Sequence, residues 1–318
     1  MSATIRPRIG IIGTGAIGGF YGLLLARAGF DVHFLLRSEF ATVAAEGLRL
    51  DSAVFGTVHL PALQAYRDAG DMPPCDWLLV GAKTTSNVAL APLITQAAAS
   101  GAKVVLLQNG LGVEDELRPL LPATLHLLGG LCFICVHRAA PGLIVHQSLG
   151  AVNLGYHSGP AADAEARQAL VEEGVALFKA AGLDSTAMPN LEQARWQKLV
   201  WNVPYNGLAV LLQAGTTALM AEAASRSLIE AIMLEVQQAA LLCGHVLPDG
   251  FVGKMLAATA RMPDYQPSMA HDFQQARPLE LQAIYAAPLA AAAAVGGSMP
   301  RTEALYQALT FLDARNRV

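Results

Sequence analysis

The stretch Arg8-Ile-Gly-Ile-Ile-Gly-Thr-Gly-Ala-Ile-Gly18 decides the fold, because a short apolar run feeds directly into glycines spaced G-x-G-x-x-G. Arg8–Ile12 predicts a β-strand, and the residues after the glycines predict a helix from about Ile17 to Ala28. Gly29 is a natural stop for that helix. A second apolar run, Asp31–Leu36, completes strand, helix, strand. That is a βαβ unit, which implies a parallel sheet and a right-handed crossover. Each glycine then has its own task. Gly13 permits the tight turn, Gly15 lets the backbone approach a pyrophosphate with no Cβ between, and Gly18 lets helix and strand pack closely. The helix N-terminus adds free N–H groups and positive dipole character, so the expected phosphate cradle is Gly13, Thr14, Gly15, Ala16, Ile17 and Gly18.

Working outward, the apolar runs Trp77–Val80, Val104–Gln108 and Leu131–Val136 extend the parallel sheet. Leu48–Val58 and Gly142–Leu154 read as antiparallel edge strands. After about residue 160 the texture becomes helical: Ala161–Ala181, Leu191–Trp201, a segment around Leu208–Gln213, Ala218–Cys243, Val252–Ala260, Ser268–Ala294 and Thr302–Ala314. Arg261–Pro267 is a proline-interrupted loop. The expected fold class is an α/β Rossmann-type N-terminal domain with a mainly α-helical C-terminal domain. The boundary falls near residue 188, giving 1–188 for the Rossmann-type domain and 189–318 for the helical domain.

Composition excludes several other classes. At 318 residues, 53% hydrophobic and 14% charged, the chain has material for two cores and is not disordered. A formal net charge of -4 gives no electrostatic reason for a nucleic-acid partner. No apolar run approaches a membrane span, and the opening MSATIRPRIGIIGTG reads as a first strand rather than a signal peptide. Four cysteines make no disulfide framework, so the expected location is the cytoplasm. Cys132 and Cys135 form a lone CxxC with no second ligand pair, so they read as core cysteines and no metal is expected.

Other candidate residues sit where a doubly wound sheet places ligands, outside the carboxyl ends of its strands. At the end of the second strand an NAD site usually carries Asp or Glu, yet here Leu36 is followed by Arg37 and Ser38. A planar guanidinium suits a 2′-phosphate, so NADP(H) is the expected cofactor; the alternative is a solvated Arg37 with Glu39 serving the ribose. Lys83 in Gly81-Ala-Lys-Thr-Thr85 and Asn109 in Gln108-Asn-Gly110 follow two further strands. In the helical part, Lys198 and Asn202 stand four apart on one helix face, and Asn206 would extend it. This polar stripe lies among Trp196, Leu199, Val200 and Trp201, and buried polar groups need partners that a ligand can supply.

Taken together, these residues resemble the ketopantoate reductase (2-dehydropantoate 2-reductase) family. The resemblance runs through GTGAIGG, LLR at 35–37, GAKTT at 81–85, QNGLG at 108–112, WQKLVWN at 196–202 and SMAHDFQQARPLE at 268–280. It implies an NADPH-dependent oxidoreductase of pantothenate biosynthesis that reduces a 2-oxo acid to a 2-hydroxy acid. It also implies Lys198 as general acid and Glu280 as the acidic residue of the substrate site. By the same resemblance Asn109, Asn202, Asn206 and Ser268 contact substrate, while Lys83 and Asn109 lie near the cofactor. Read locally, Glu280 could instead be a helix-surface carboxylate paired with Arg277, and Ser268 a helix N-cap after Pro267. Two departures stand out. The family commonly reads N-x-x-x-N-P, but here Pro204 comes between the two asparagines, where a proline should end or kink the helix and move Asn206. After Glu280 the family usually continues with Asp and a downstream Asn-Gly; here the chain reads Leu281-Gln-Ala-Ile-Tyr285-Ala-Ala-Pro288.

The resemblance therefore leaves room for a different 2-oxo acid on the same scaffold. An NADPH-binding regulatory protein without catalysis and a flavin enzyme are the readings from other classes; Lys198 with Glu280 argues against the first and Arg37 against the second. The alanine-rich carboxy-terminal helices offer surfaces for a homodimer.

Overall fold

The computed structural model describes residues 6–317; the first five residues of the opening stretch and residue 318 lie outside it. Two compact units emerge. The first comprises the described residues through Gln108 together with Val113–Leu191, and the second Asn109–Gly112 together with the chain from Glu192 onward. The short Asn109–Gly112 segment thus belongs with the helical unit.

The first unit runs β1 (Arg8–Ile12), α1 (Ala16–Arg27), β2 (Asp31–Leu35), α2 (Phe40–Glu46), β3 (Leu48–Ser52), β4 (Gly56–Leu60) and β5 (Gln64–Tyr66). It continues with β6 (Cys75–Val80), α3 (Asn87–Ala97), β7 (Ala98–Leu106), α4 (Val113–Leu117), β8 (His126–Ala140), β9 (Leu143–Ser158) and α5 (Ala164–Ala180). All the strands join one nine-stranded sheet in the order β4-β3-β9-β8-β7-β6-β1-β2-β5. From β8 to β5 every neighbouring pair is parallel. The chain passes from β1 to β2 on one side and later fills β6 on the other. That makes the β1/β6 seam the topological switch point, where such sheets bind ligands. Burial follows from this arrangement: Ile9, Ile11, Phe34, Trp77, Leu79 and Val105 belong to one core cluster and are fully or nearly fully buried. Strands covered on both faces read as continuous apolar runs, which is why these were visible in the sequence.

The α1 boundaries also have local causes. Gly29, at φ +85°, ends the helix, with its N–H donating to the Ala26 carbonyl and the Phe30 N–H reaching the Leu25 carbonyl.

Two strand expectations need correction. The Gly142–Leu154 run is no edge: β9 spans Leu143–Ser158 and lies between β8 and β3, antiparallel to one and parallel to the other. Its polar residues mislead because they are satisfied internally. His146 is buried, with one ring nitrogen 2.8 Å from Ser52 Oγ and the other 2.9 Å from the Ser148 carbonyl. The Leu48–Val58 run is two strands, β3 and β4, of which only β4 lies at the sheet's edge. Cys132 and Cys135 are buried in β8, as read from the sequence, and burial pushes the Cys135 thiol pKa up.

The second unit is helical: α6 (Leu191–Leu212), α7 (Thr216–Ala221), α8 (Ala223–Leu242), α9 (Phe251–Thr259), α10 (Ser268–Gln274), α11 (Ala287–Ala294) and α12 (Pro300–Asn316). Here too the sequence reading is revised. The single helix expected over Ser268–Ala294 is α10, a loop, a π-helical turn at Gln282–Ala286, and α11. Ala276 adopts φ +49° and Pro278 disfavours a helical Arg277, so the helix stops there. Conversely, α6 runs unbroken through Pro204 where a break was expected. Every residue from Asn202 to Val210 is buried, so packing on all sides overrides the proline.

Candidate active site

The glycine loop occupies the β1/β6 switch point. Gly13 has φ +89°, and a Cβ there would fall 2.6 Å from the Ala82 nitrogen. A Cβ on Gly81 would fall 2.7 Å from the Gly18 nitrogen. The loops after β1 and β6 therefore touch backbone to backbone, and the Gly81 N–H donates to the Ile12 carbonyl at 2.9 Å. Gly15 differs: a Cβ built on it meets nothing within 4 Å. That open side lies at the start of α1, whose first turn has no acidic residue and whose N-cap, Gly15, offers no side chain to its amides. Free N–H groups, an unneutralised dipole and an unfilled space fit a pyrophosphate.

Thr14 serves the loop through its side chain, since its hydroxyl donates to the Leu35 carbonyl at 3.1 Å. This bond ties the loop to the end of β2. Two residues later Arg37 and Ser38 are exposed. Glu39, by contrast, is buried; its carboxylate accepts from the Gly142 N–H at 3.1 Å and pairs with Arg138. A carboxylate committed to the β8–β9 turn is poorly placed to serve a ribose, which removes the support for the alternative that rested on Glu39.

The loop after β6 is held from below by residues the sequence reading passed over. Gln108 is buried, and its amide donates to the Ala82 carbonyl at 2.9 Å and to Asn87 Oδ1 at 2.7 Å. Asn87 in turn donates to Glu116 at 3.3 Å. This chain fixes the segment carrying Lys83, which is half-buried ahead of a 3-10 turn at Thr84–Ser86. A polar residue at the end of a buried strand was the available signal for Gln108; Asn87 gave none.

In the second unit Lys198, Asn202 and Asn206 follow one another at helical spacing along α6, because that helix is continuous. Lys198 is half-buried; Asn202 and Asn206 are buried. The Asn202 amide nitrogen has no hydrogen-bond partner, and an unpaired buried donor of this kind costs about 1–3 kcal/mol unless a ligand meets it. Asn206 is committed differently. Its Nδ2 donates to the Asn202 carbonyl at 3.1 Å, and its Oδ1 accepts from the Met269 N–H at 3.3 Å. Asn206 thereby supplies the N-terminus of α10 with an acceptor. Ser268 is the first residue of α10 rather than its N-cap, which is Pro267, and it is half-buried.

Glu280 is 3% exposed, so it is not a surface carboxylate, and Arg277 pairs instead with Asp272 at 3.7 Å. It stands just ahead of the π-helical turn and its carbonyl accepts from the Ile284 N–H. Asn109 is half-buried beside a firmly held neighbour. Buried Arg195 donates to the Gly110 carbonyl at 3.0 Å, and the Leu111 N–H donates to the Ala283 carbonyl at 2.9 Å. Gly110, at φ +110°, has no room for a side chain against Ala283. The sequence reading gave Arg195 no role; its place one turn before Lys198 was the signal.

The family model described as "Ketopantoate reductase PanE/ApbA" matches residues 9–159, and "Ketopantoate reductase PanE/ApbA C terminal" matches residues 190–313. The chain belongs to the ketopantoate reductase family. A relative from Nostoc sp., named 2-dehydropantoate 2-reductase, is 42% identical over 310 residues, covering 96% of this chain and 95% of its own. The crystal structure of 2-dehydropantoate 2-reductase from Geobacter metallireducens GS-15 is similar at a TM-score of 0.87 and 40% identity, covering 94% of this chain and 98% of that one. The corresponding protein from Methylococcus capsulatus gives 0.85 and 34%, with 98% of each chain covered. The ketopantoate reductase family is one of oxidoreductases with a Rossmann-like first domain and a helical second one, as the fold here displays. Among the described residues no helix is long and apolar enough to cross a membrane, and no group of three acidic, histidine or cysteine residues is arranged for a metal.

Proposed function

We propose that this chain reduces 2-dehydropantoate (ketopantoate) to pantoate with NADPH. One observation carries the reading beyond family membership. Asn202 holds a buried, unpartnered amide donor one turn from Lys198, as a site built to receive oxygen atoms would.

NADPH, when bound, supplies a hydride to the ketone carbon of the acid. The backbone amides of Gly13, Thr14, Gly15, Ala16, Ile17 and Gly18 would hold its pyrophosphate, with Lys83 nearby, and Arg37 would pair with the 2′-phosphate. Lys198, as ammonium, hydrogen-bonds the ketone oxygen and gives it a proton as the C=O bond becomes C–O–H; the neutral amine then regains a proton from solvent. A cation aimed at growing negative charge lowers the barrier most where water is excluded. Glu280 orients that ammonium and accepts from the substrate hydroxyl. Asn109, Asn202 and Ser268 direct polar groups to the acid, and Asn206 sets the α10 end that carries Ser268. A cytoplasmic location agrees with the four free thiols.

The test is NADPH consumption with ketopantoate and a panel of other 2-oxo acids, wild type against Lys198→Ala. Turnover of ketopantoate that the variant loses, with NADPH binding kept, is the expected result. Turnover of another acid alone would retain the mechanism and move the substrate. No turnover of any acid would overturn the reading.

A further inference from the structure

The two departures from the family pattern meet at one point in the second unit. Pro204 lies inside α6, in the turn that spans Val203 to Gly207. The position after the second asparagine, where the family commonly has proline, is Gly207. Tyr285, from the altered stretch after Glu280, is fully buried, and its hydroxyl donates to the Val203 carbonyl at 2.8 Å. The same oxygen packs against the Gly207 backbone. A side-chain hydroxyl is thus bonded to a carbonyl of the very turn that holds the proline. Gly207 is what admits it: a Cβ there would fall 2.5 Å from the Tyr285 oxygen.

Helical backbone is disfavoured at the residue before a proline, and Val203 is that residue. Here the Tyr285 hydroxyl anchors the carbonyl of that residue from outside the helix, in a region where all neighbours are buried, and the turn stays helical. Burial raises the Tyr285 pKa far above its ordinary value, which keeps the donor proton in place. Tyr285 also sits in the π-helical turn at Gln282–Ala286, five residues after Glu280.

We propose that Tyr285 is a positioning residue whose hydroxyl splints α6 through the Pro204 turn and sets the Lys198–Asn202–Asn206 face in register with the segment that begins at Glu280. The inference rests on the roles given above to Lys198 and Glu280. It makes Pro204, Gly207 and Tyr285 one coupled substitution rather than three independent ones.

The test is a cycle of Tyr285→Phe and Pro204→Ala, singly and together, read by 2-oxo acid kinetics and by hydrogen exchange of the α6 amides. Removing the hydroxyl in the presence of Pro204 is expected to lower kcat/KM for the acid by about ten- to a hundredfold, the scale of a small misplacement of reacting groups. NADPH affinity should not change, and the Gly207 and Leu208 amides should exchange faster. With Pro204→Ala, the same Phe substitution should cost less than about threefold, since interacting sites are non-additive. Equal losses in both backgrounds, or unchanged amide exchange, would overturn the splint. Should Tyr285→Phe fold poorly, Gly207→Ala displaces the same hydroxyl while raising helix propensity, and it must reproduce the effect. If no 2-oxo acid is turned over, the functional reading fails, and the exchange data alone decide the splint: Pro204-dependent acceleration supports it and its absence overturns it.

Discussion

The glycine loop after β1 and the polar face of α6, the two proposed ligand sites, are built from opposite materials. The loop uses backbone: its donors are amides, and its glycines act by what they lack, as the 2.6 Å approach of a Gly13 Cβ to Ala82 makes plain. The α6 face uses side chains, and partners on other segments help to hold it, such as the Met269 N–H on Asn206 and Tyr285 on the Val203 carbonyl. A backbone site is written into a short contiguous motif. A side-chain site on a helix is distributed, so it tolerates exchange of parts and hides from local reading.

The contrast can be broken by substitution, most sharply at Lys198. Lys198→Ala is expected to lower kcat by about 10²–10⁴, the usual worth of a positioned proton donor, with NADPH affinity intact in a fluorescence titration. Loss of NADPH binding as well would mean that the two regions do not divide the work.

At the loop, Gly13→Ala forces a side chain onto a left-handed residue and into Ala82. NADPH affinity should fall by more than about thirtyfold, with a stability loss of about 1–3 kcal/mol from strain, both measured on the same preparation by calorimetry and thermal melting. Wild-type affinity in that variant would show that the loop is not the pyrophosphate site.

Arg37→Ala isolates a side-chain contribution within the backbone region. It should weaken NADPH by about tenfold, the value of one charge-assisted contact, and leave NADH untouched. Equal effects on both cofactors would exclude the 2′-phosphate as its target.

Smallest in functional terms is Glu39→Gln. It should lower the unfolding free energy by about 1–3 kcal/mol through the Gly142 contact and the Arg138 pair, without altering the NADPH-to-NADH ratio. A changed ratio would return Glu39 to the ribose.

What the sequence disclosed follows the same division. The β1–α1–β2 unit was legible because Gly13, Gly29 and the buried runs each have one physical reason to be where they are. The interior position of β9 was not, because His146 looks like a surface residue until Ser52 and the Ser148 carbonyl are seen to satisfy it. Pro204 misled in the opposite direction: a local rule said break, and burial of every residue from Asn202 to Val210 overrides it. Lys198 and Asn202 stood out as a polar stripe, but their roles, and Glu280 itself, came only by resemblance, since a lysine and an asparagine four apart are ordinary on any amphipathic helix. Of the Gln108–Asn87–Glu116 chain only Gln108 left a trace in the sequence, because its members meet only after β7, α3 and α4 are assembled.

The commitment of Glu39 to Gly142 and Arg138 has a bearing on how such a chain can be rewritten. The residue that braces the first domain and the residue proposed for the cofactor are close neighbours, yet they carry separate loads. On the role proposed for Arg37, mutational drift or redesign can trade one nicotinamide carrier for another there while the carboxylate two steps on keeps the hairpin anchored. A site arranged this way is open to retuning of its cofactor currency without a detour through an unstable intermediate.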